Sequence, residues 1–283
     1  MIPLVDADIL TYECAAVGQY EEGGVIHLRP WDWLADLIDE KIEAICRAVD
    51  ATERPILYLT GDTYLWNMKR RVRPSLPAYE PNFRIEVAKL RPYKGTRKVE
   101  KPYYYNSVRA YLLTKWNAFV AIGCEADDEM AMEQTKRPSE VVVCTRDKDL
   151  RQVPGLHYGW ESGRQGEFGP HEYDALGSID LVRTSSTTKI TGGGFKFFAA
   201  QLLTGDVVDN ISGLPKYGPV KVDSLLSSLA STRECLDAVR KEYESVYPDD
   251  WKAQLREQCD LLWMIRRRDE NGKLVMFNPR EYA

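Results

Sequence analysis

With 283 residues, 44% of them apolar and 29% charged, the chain has room for one large domain or two modest ones and an ordinary globular make-up. No apolar run approaches the roughly 20 residues of a membrane span, and the acid-bearing start MIPLVDADIL lacks the basic leader of a signal peptide. Three scattered histidines and six cysteines without a CxxC pair exclude a zinc site and a histidine-based triad, and the cysteines read as reduced core residues of a cytosolic protein.

Taken in chain order, apolar β-rich runs at 2–5 (IPLV), 55–60 (PILYLT), 118–122 (AFVAI) and 140–145 (EVVVCT) predict strands, with 156–160 and 179–183 as further candidates. Helices are predicted at 33–49, where Leu34, Leu37, Ile38, Ile42, Ile45 and Val49 recur at helical spacing, and at 103–116 and 125–136. Continuous hydrophobic strands alternating with helices predict an α/β class with a mainly parallel sheet. Near residue 190 the texture changes. TGGGF (191–195) reads as a linker, and helices are expected at 195–204, 219–230, 232–246 and 249–265, before a tail hairpin turning at Asn271-Gly272. The expected division is an α/β domain over 1–190 and a mainly helical one over 191–283.

Acidic residues follow the strands. Asp6 follows the first, Asp62 the second, Glu125, Asp127 and Asp128 the third, and Asp147 and Asp149 the fourth. In a parallel sheet the strand carboxyl ends share one edge, where ligands bind. Each acid also has a structural role open to it: Asp62 in a turn, Asp147 and Asp149 as solvated loop charges, Asp8 as an N-cap. Seven carboxylates on one edge require neutralising cations. Oxygen-only donors select Mg²⁺ or Mn²⁺, and two such ions about 4 Å apart form the usual clamp for phosphoryl chemistry.

The net charge of −5 hides a segregation, since residues 69–101 hold eleven Lys/Arg against three Glu. Within it, Lys89, Arg91, Lys94, Arg97, Lys98 and Lys101 interleave with Tyr93, Tyr103, Tyr104 and Tyr105, cations suited to phosphates and rings suited to bases. Further on, Asp206 and Asp209 stand at a helix end, and a loop bounded by Gly213 and Gly218 leads to Pro219 at the start of the next helix. That is a helix-hairpin-helix pattern, in which backbone N–H groups grip a nucleic-acid backbone without reading sequence.

The pieces VDAD, TGD, RPYKGTR, EADDEMA, TRDKDL and GDVVDNISGLPKYGPVK, in this order over residues 5–221, resemble the 5′→3′ exonuclease and flap endonuclease superfamily, most closely its phage members that also remove RNA primers. The resemblance implies a twisted sheet flanked by helices, a helical arch at about 85–116 and a helix-three-turn-helix module. It implies metal ligation by Asp6, Asp62, Glu125, Asp127, Asp128, Asp147, Asp149, Asp206 and Asp209, catalytic roles for Lys94 and Arg97, and K⁺ in the hairpin loop. DNA contacts would come from Lys89, Arg91, Tyr93, Lys98, Lys101, Gly213, Lys216, Gly218 and Lys221. The implied partners are duplex DNA with a 5′ end or flap, RNA–DNA hybrid and replication proteins, met by a cytoplasmic monomer with no membrane role. The hairpin departs from the family's Gly-hydrophobic-Gly, because Lys216 stands ahead of Tyr217-Gly218.

Three other readings compete. DADILT fits the DxDx(T/V) pattern of haloacid-dehalogenase-like phosphatases, whose first Asp is a covalent nucleophile; it leaves the 125–128 acids and the basic segment unexplained. A PIN-type ribonuclease would share the sheet and the acids without the arch or the hairpin. A catalytically dead DNA-structure-binding homologue would have lost carboxylates, and none is lost here.

Overall fold

The computed structural model describes residues 1–96 and 100–282. Strand β1 (Ile2–Asp6) is buried along its whole length, as a central parallel strand must be. It passes directly into α1 (Ala7–Val17), whose N-cap is Asp6. A hairpin of β2 (Gln19–Glu22) and β3 (Val25–Leu28) follows, turning on Gly23 and Gly24. Helix α2 (Trp31–Ala48) buries Leu34, Ile38, Ile42 and Ile45, the stripe that the sequence spacing predicts. Then come β4 (Ile56–Thr60), α3 (Thr63–Val72), the single turn α4 (Arg84–Val87), α5 (Tyr105–Lys115), β5 (Phe119–Ala121), α6 (Ala126–Lys136) and β6 (Val141–Cys144). After a 3₁₀ turn at Asp149–Gln152 the chain forms β7 (Gly155–Gly159), β8 (Phe168–Tyr173), β9 (Ile179–Arg183) and β10 (Thr188–Gly192). It closes with α7 (Gly194–Thr204), α8 (Pro219–Leu226), α9 (Thr232–Val246) and α10 (Trp251–Leu262).

Six strands form one sheet in the order β5-β4-β1-β6-β7-β8. β1 pairs in parallel with β4 and β6, as do β4 with β5 and β6 with β7. The class is therefore α/β with a mainly parallel sheet. No helix among the described residues is long and apolar enough to cross a membrane, and all six cysteines are free.

The chain forms two compact units that interleave in sequence. One comprises Met1–Asn82, Lys98–Arg146 and Leu156–His171; the other comprises Phe83–Arg97, Asp147–Gly155 and Glu172–Ala283. The first unit has its core where α1, α2 and α5 meet the sheet, with Val5, Leu10, Leu34, Ile38, Leu57, Leu59, Val108 and Leu112 buried together. The second is built on aromatic rings: Phe198 lies 4.9 Å from Trp263 and 5.1 Å from Phe277, and Phe195 stacks on Tyr282 at 5.3 Å. Arg84, 1% exposed, fastens the 83–96 segment to this unit by donating to the carbonyls of Leu261 and Trp263 at the carboxyl end of α10. There its charge also meets the negative end of the helix dipole. Glu257 adds a second tie, accepting from the backbone N–H of Lys89 and Leu90.

Two sequence expectations change, and a third is met outside the main sheet. TGGGF is no linker. Thr191 and Gly192 finish β10, Gly193 caps α7, and Gly194 opens it at φ +66. A Cβ on Gly194 would lie 2.6 Å from the Cα of Gly177, and one on Gly177 only 1.9 Å from the carbonyl of Gly193, so the glycines are there because two backbones touch. The strand at 179–183 exists, but pairs antiparallel with β10 outside the main sheet. At the tail, Asp269 accepts from the N–H groups of Asn271 and Lys273 and Gly272 takes φ +78, yet the hairpin reduces to one bridge between Arg268 and Leu274.

Candidate active site

In the first unit the acids gather around Thr60, the last residue of β4. Asp6 is buried; its Oδ1 accepts from the N–H groups of Asp8 (3.1 Å) and Ile9 (3.2 Å), and its Oδ2 from the Thr145 hydroxyl (2.7 Å). Asp8 Oδ2 accepts from the Thr60 N–H at 2.9 Å. The Thr60 hydroxyl accepts from the N–H of Ala126 at 2.9 Å, which sets the start of α6 against β4. Glu125 and Asp128 cap that helix reciprocally, the N–H of Glu125 donating to Asp128 Oδ2 at 3.0 Å. Asp127 is half-buried in the same turn.

A cation is bound to part of this group. Arg109 of α5, 2% exposed, donates to Asp62 Oδ2 and to the Thr60 carbonyl. Asp62 also caps α3, its Oδ1 accepting from Leu65 N–H at 2.9 Å. Burial pushes the Asp8 carboxyl above its ordinary value; Arg109 and Thr60 oppose the shift and Glu125 adds to it.

The second unit holds the other four acids. Asp147 Oδ1 accepts from the N–H of Asp149 (2.9 Å), and Gln201 of α7 donates to Asp149 Oδ1 (2.7 Å). Asp206 follows the end of α7; its Oδ1 accepts from the N–H groups of Val208 and Asp209, and Lys148 Nζ lies 2.8 Å from its Oδ2 and 3.8 Å from Asp149 Oδ1. Burial raises the Asp149 carboxyl well above the usual range, and the charges of Asp147, Asp206 and Asp209 add to it despite Lys148. Burial also raises Asp147; the charge of Asp209 adds, while the N–H of Asp149 and the ammonium groups of Lys94 and Lys148 oppose. For Asp206 burial alone would raise the carboxyl, but Lys148 and the two N–H groups outweigh it and hold it below the ordinary value.

Lys94 is tied to the same cluster. Its N–H donates to the Asp209 carbonyl at 3.0 Å, the Tyr93 hydroxyl donates to Asp209 Oδ2 at 3.0 Å, and the Asn210 side chain donates to the Pro92 carbonyl at 2.9 Å. Lys94 itself sits at φ +54, a left-handed conformation that costs a residue with a side chain on the order of 1 kcal/mol. The three bonds to the 209–210 turn hold it there.

The remaining expected contacts divide. Lys89, Arg91, Lys101, Lys216, Lys221 and Gly218 are exposed. Lys101 and Lys221 lie over the rings of Tyr105 and Tyr217. Pro219 takes the first position of α8, with Gly218 as its cap. Gly213 differs from expectation. It is buried, its N–H donates to Gln258, and a Cβ there would stand 2.3 Å from the N of Gly205. Its glycine serves backbone packing at φ +58, not approach to a phosphate. Arg97 and Lys98 lie outside the described residues.

Sequence reasoning passed over Asp8, Thr60, Arg109 and Lys148 as parts of the site. Lys148 is legible as the cation between Asp147 and Asp149, and Arg109 as the lone charge between Val108 and Leu112. Thr60 carries no such signal.

The donor chemistry, carboxylate oxygens without His or Cys, is of the kind that suits a hard divalent cation. Among the described residues no group of three or more His, Cys, Asp or Glu is arranged to hold one. The carboxylate oxygens are instead turned to N–H donors, Arg109 and Lys148.

No protein-family model matches the chain. Among solved structures it is similar to the T5 D15 protein co-crystallised with metal ions, at 14% identity over 92% of this chain and 93% of that one, with a TM-score of 0.46. It is also similar to the catalytic core of Rad2 in complex with DNA substrate, at 13% identity over 94% of this chain and 75% of that one, with a TM-score of 0.43. A second Rad2 complex gives 14% identity, 79% and 60% coverage and a TM-score of 0.39. With TM-scores below 0.5, these likenesses carry no argument for function, which rests on the residues themselves.

Proposed function

We propose that the chain is a divalent-metal-dependent nuclease that hydrolyses DNA phosphodiesters from a 5′ end, as a 5′→3′ exonuclease and at 5′ flaps. The observation that carries this reading is Lys94, held in a left-handed turn against Asp209 and within electrostatic reach of the half-buried Asp147. The turn that anchors the Lys94 backbone leaves its ammonium over the Tyr93 ring, 5.0 Å from the centroid, and a positive charge near these carboxylates would stabilise negative charge developing on a phosphate. Asp6, Glu125, Asp127 and Asp128 in the first unit, and Asp147, Asp149, Asp206 and Asp209 in the second, are the residues that would hold Mg²⁺ or Mn²⁺. When bound, such ions supply an activated water and a counter-charge for the leaving oxygen. Arg109 keeps the Asp62 carboxylate oriented and neutralised, and Lys148 does the same for Asp206. Exposed Lys89, Arg91, Lys216 and Lys221 take backbone phosphates irrespective of sequence.

The test is incubation of linear duplex DNA with the protein and Mg²⁺ or Mn²⁺. Degradation should stop in EDTA, and Asp128→Ala or Asp147→Ala should lower turnover by orders of magnitude while duplex binding persists. Full degradation in chelator overturns the reading.

A further inference from the structure

Helix α7 is buried from Gly194 to Leu203, and two polar side chains lie within that stretch, Lys196 and Gln201. Lys196 is accounted for, because its ammonium donates to the Ser227 carbonyl at the carboxyl end of α8 at 2.9 Å. Gln201, 3% exposed, makes a single side-chain hydrogen bond among the described residues. Its Nε2 donates to Asp149 Oδ1 at 2.7 Å, and its Oε1 is buried with no partner. The carboxylate decides which end of the amide faces it, since the flipped amide would set two acceptors against each other.

A buried glutamine that serves packing looks different. Gln152, at the other end of the 3₁₀ turn that Asp149 opens, uses both ends of its amide on the backbone. It donates to the Leu262 carbonyl at 3.0 Å and accepts from the Met264 N–H at 3.1 Å, which ties the turn to the end of α10. Gln201 leaves one end unused, and a half-satisfied buried amide costs stability that an apolar side chain of the same size would not. What the amide provides is a hold on one carboxylate oxygen. Lys148 Nζ lies on the same side, 3.8 Å from Oδ1, and Asp149 Oδ2 accepts from no group among the described residues.

We propose that Gln201 is a positioning residue for Asp149: it anchors the carboxylate by Oδ1 and so leaves Oδ2 as the oxygen presented to a divalent cation. An unheld Asp carboxylate turns broadly about its last torsion and can offer either oxygen. A donor fixed on a buried helix removes that choice before an ion arrives, as groups behind metal ligands do. A neutral amide suits the task, because it orients the oxygen without cancelling the negative charge that draws the ion. The inference rests on the metal-binding part of the proposed function.

The test is Mn²⁺ affinity in the absence of DNA, read from the electron paramagnetic resonance signal of free Mn²⁺, for the wild type, Gln201→Met and Gln201→Asn. Met fills the same space without a donor, and Asn keeps an amide one carbon too short to reach Asp149. Each should weaken one Mn²⁺ site by about 10- to 100-fold, the usual cost of losing a group that orients a metal ligand. Duplex affinity in EDTA should stay at the wild-type value, which separates lost orientation from a disordered unit, and either variant that keeps its thermal melt decides the matter. In an Asp149→Asn background Gln201→Met should cost little more, because Gln201 acts through that carboxylate. Unchanged Mn²⁺ affinity overturns the proposal, as does a full further loss beside Asp149→Asn or a parallel loss of duplex affinity. A wild type that binds no Mn²⁺ overturns the metal reading and the inference with it, whereas wild-type Mn²⁺ binding beside unaffected variants sinks only the role of Gln201.

Discussion

Replacing Arg109 by Met removes the cation of the first acidic cluster while keeping most of the side-chain stem. The guanidinium is held by Asp62 and the Thr60 carbonyl, and its side chain is only 3% exposed. Removing one partner of a fully buried ion pair costs about 3–5 kcal/mol. Asp62 is 34% exposed and keeps its bond from Leu65 N–H, so water screens part of the loss and the lower end applies, about 3 kcal/mol. For a chain of this size that corresponds to a fall in Tm of about 6–12 °C. Urea unfolding followed by tryptophan fluorescence measures it, and a double-mutant cycle with Asp62→Asn isolates the pair. The cycle should give a coupling of about 2 kcal/mol, within the range for residues in direct contact. A loss below about 0.5 kcal/mol, or additive single mutants, would refute the claim that Arg109 organises this cluster.

Gly213→Ala and Gly218→Val should part company. The first forces a Cβ against backbone at φ +58 and should destabilise the protein in thermal melts, whereas the second enters open space and should leave the melt nearly unchanged while weakening duplex binding equally for all sequences; a destabilised Gly218→Val contradicts this. Lys94→Ala should lower the single-turnover cleavage rate at saturating enzyme by on the order of 10²-fold, and a change in affinity alone would reduce Lys94 to one more backbone contact. Burial would raise the Asp39 carboxyl, yet bonds from Lys115, Trp116 and Tyr111 hold it below its ordinary value of 3.8. Its contribution is therefore present above pH 4 and lost as pH falls through the lower folded value. Wild type should lose stability from pH 5 to 3 that Asp39→Asn does not lose, and parallel curves would contradict the assignment.

The sequence carried the central strands and most helices because burial on both faces makes continuous apolar runs and amphipathic helices repeat at 3.6 residues. Ile2–Val5, Val141–Cys144 and the Leu34–Ile45 stripe are of this kind. It did not carry β2–β3 or β10: β2 and β3 lie almost wholly exposed, so neither shows the alternation of a half-buried strand, and β10 (TKITG) holds a single large apolar residue. The glycines at 192–194 read as flexibility because close approach of two backbones at Gly177 is a tertiary event with no local signature. At the candidate site the acids were legible because carboxylates recur after strands. The cations that answer them leave a fainter trace, Arg109 as the one charge between Val108 and Leu112 and Lys148 as the cation between Asp147 and Asp149, and sequence reasoning passed over both. The clustered acids of EADDEMA turn out to be partly a helix start: Glu125 and Asp128 cap α6 while also standing in the group around Thr60.

The most direct test of the proposed function is digestion of one duplex labelled on its 5′ end and, in parallel, on its 3′ end, with Mg²⁺ present. A nuclease working from the 5′ end releases the 5′ label at once in short products and leaves the 3′ label in long fragments that shorten progressively, and both patterns vanish in EDTA. Early release of the 3′ label, or intact DNA with Mg²⁺ present, would contradict it.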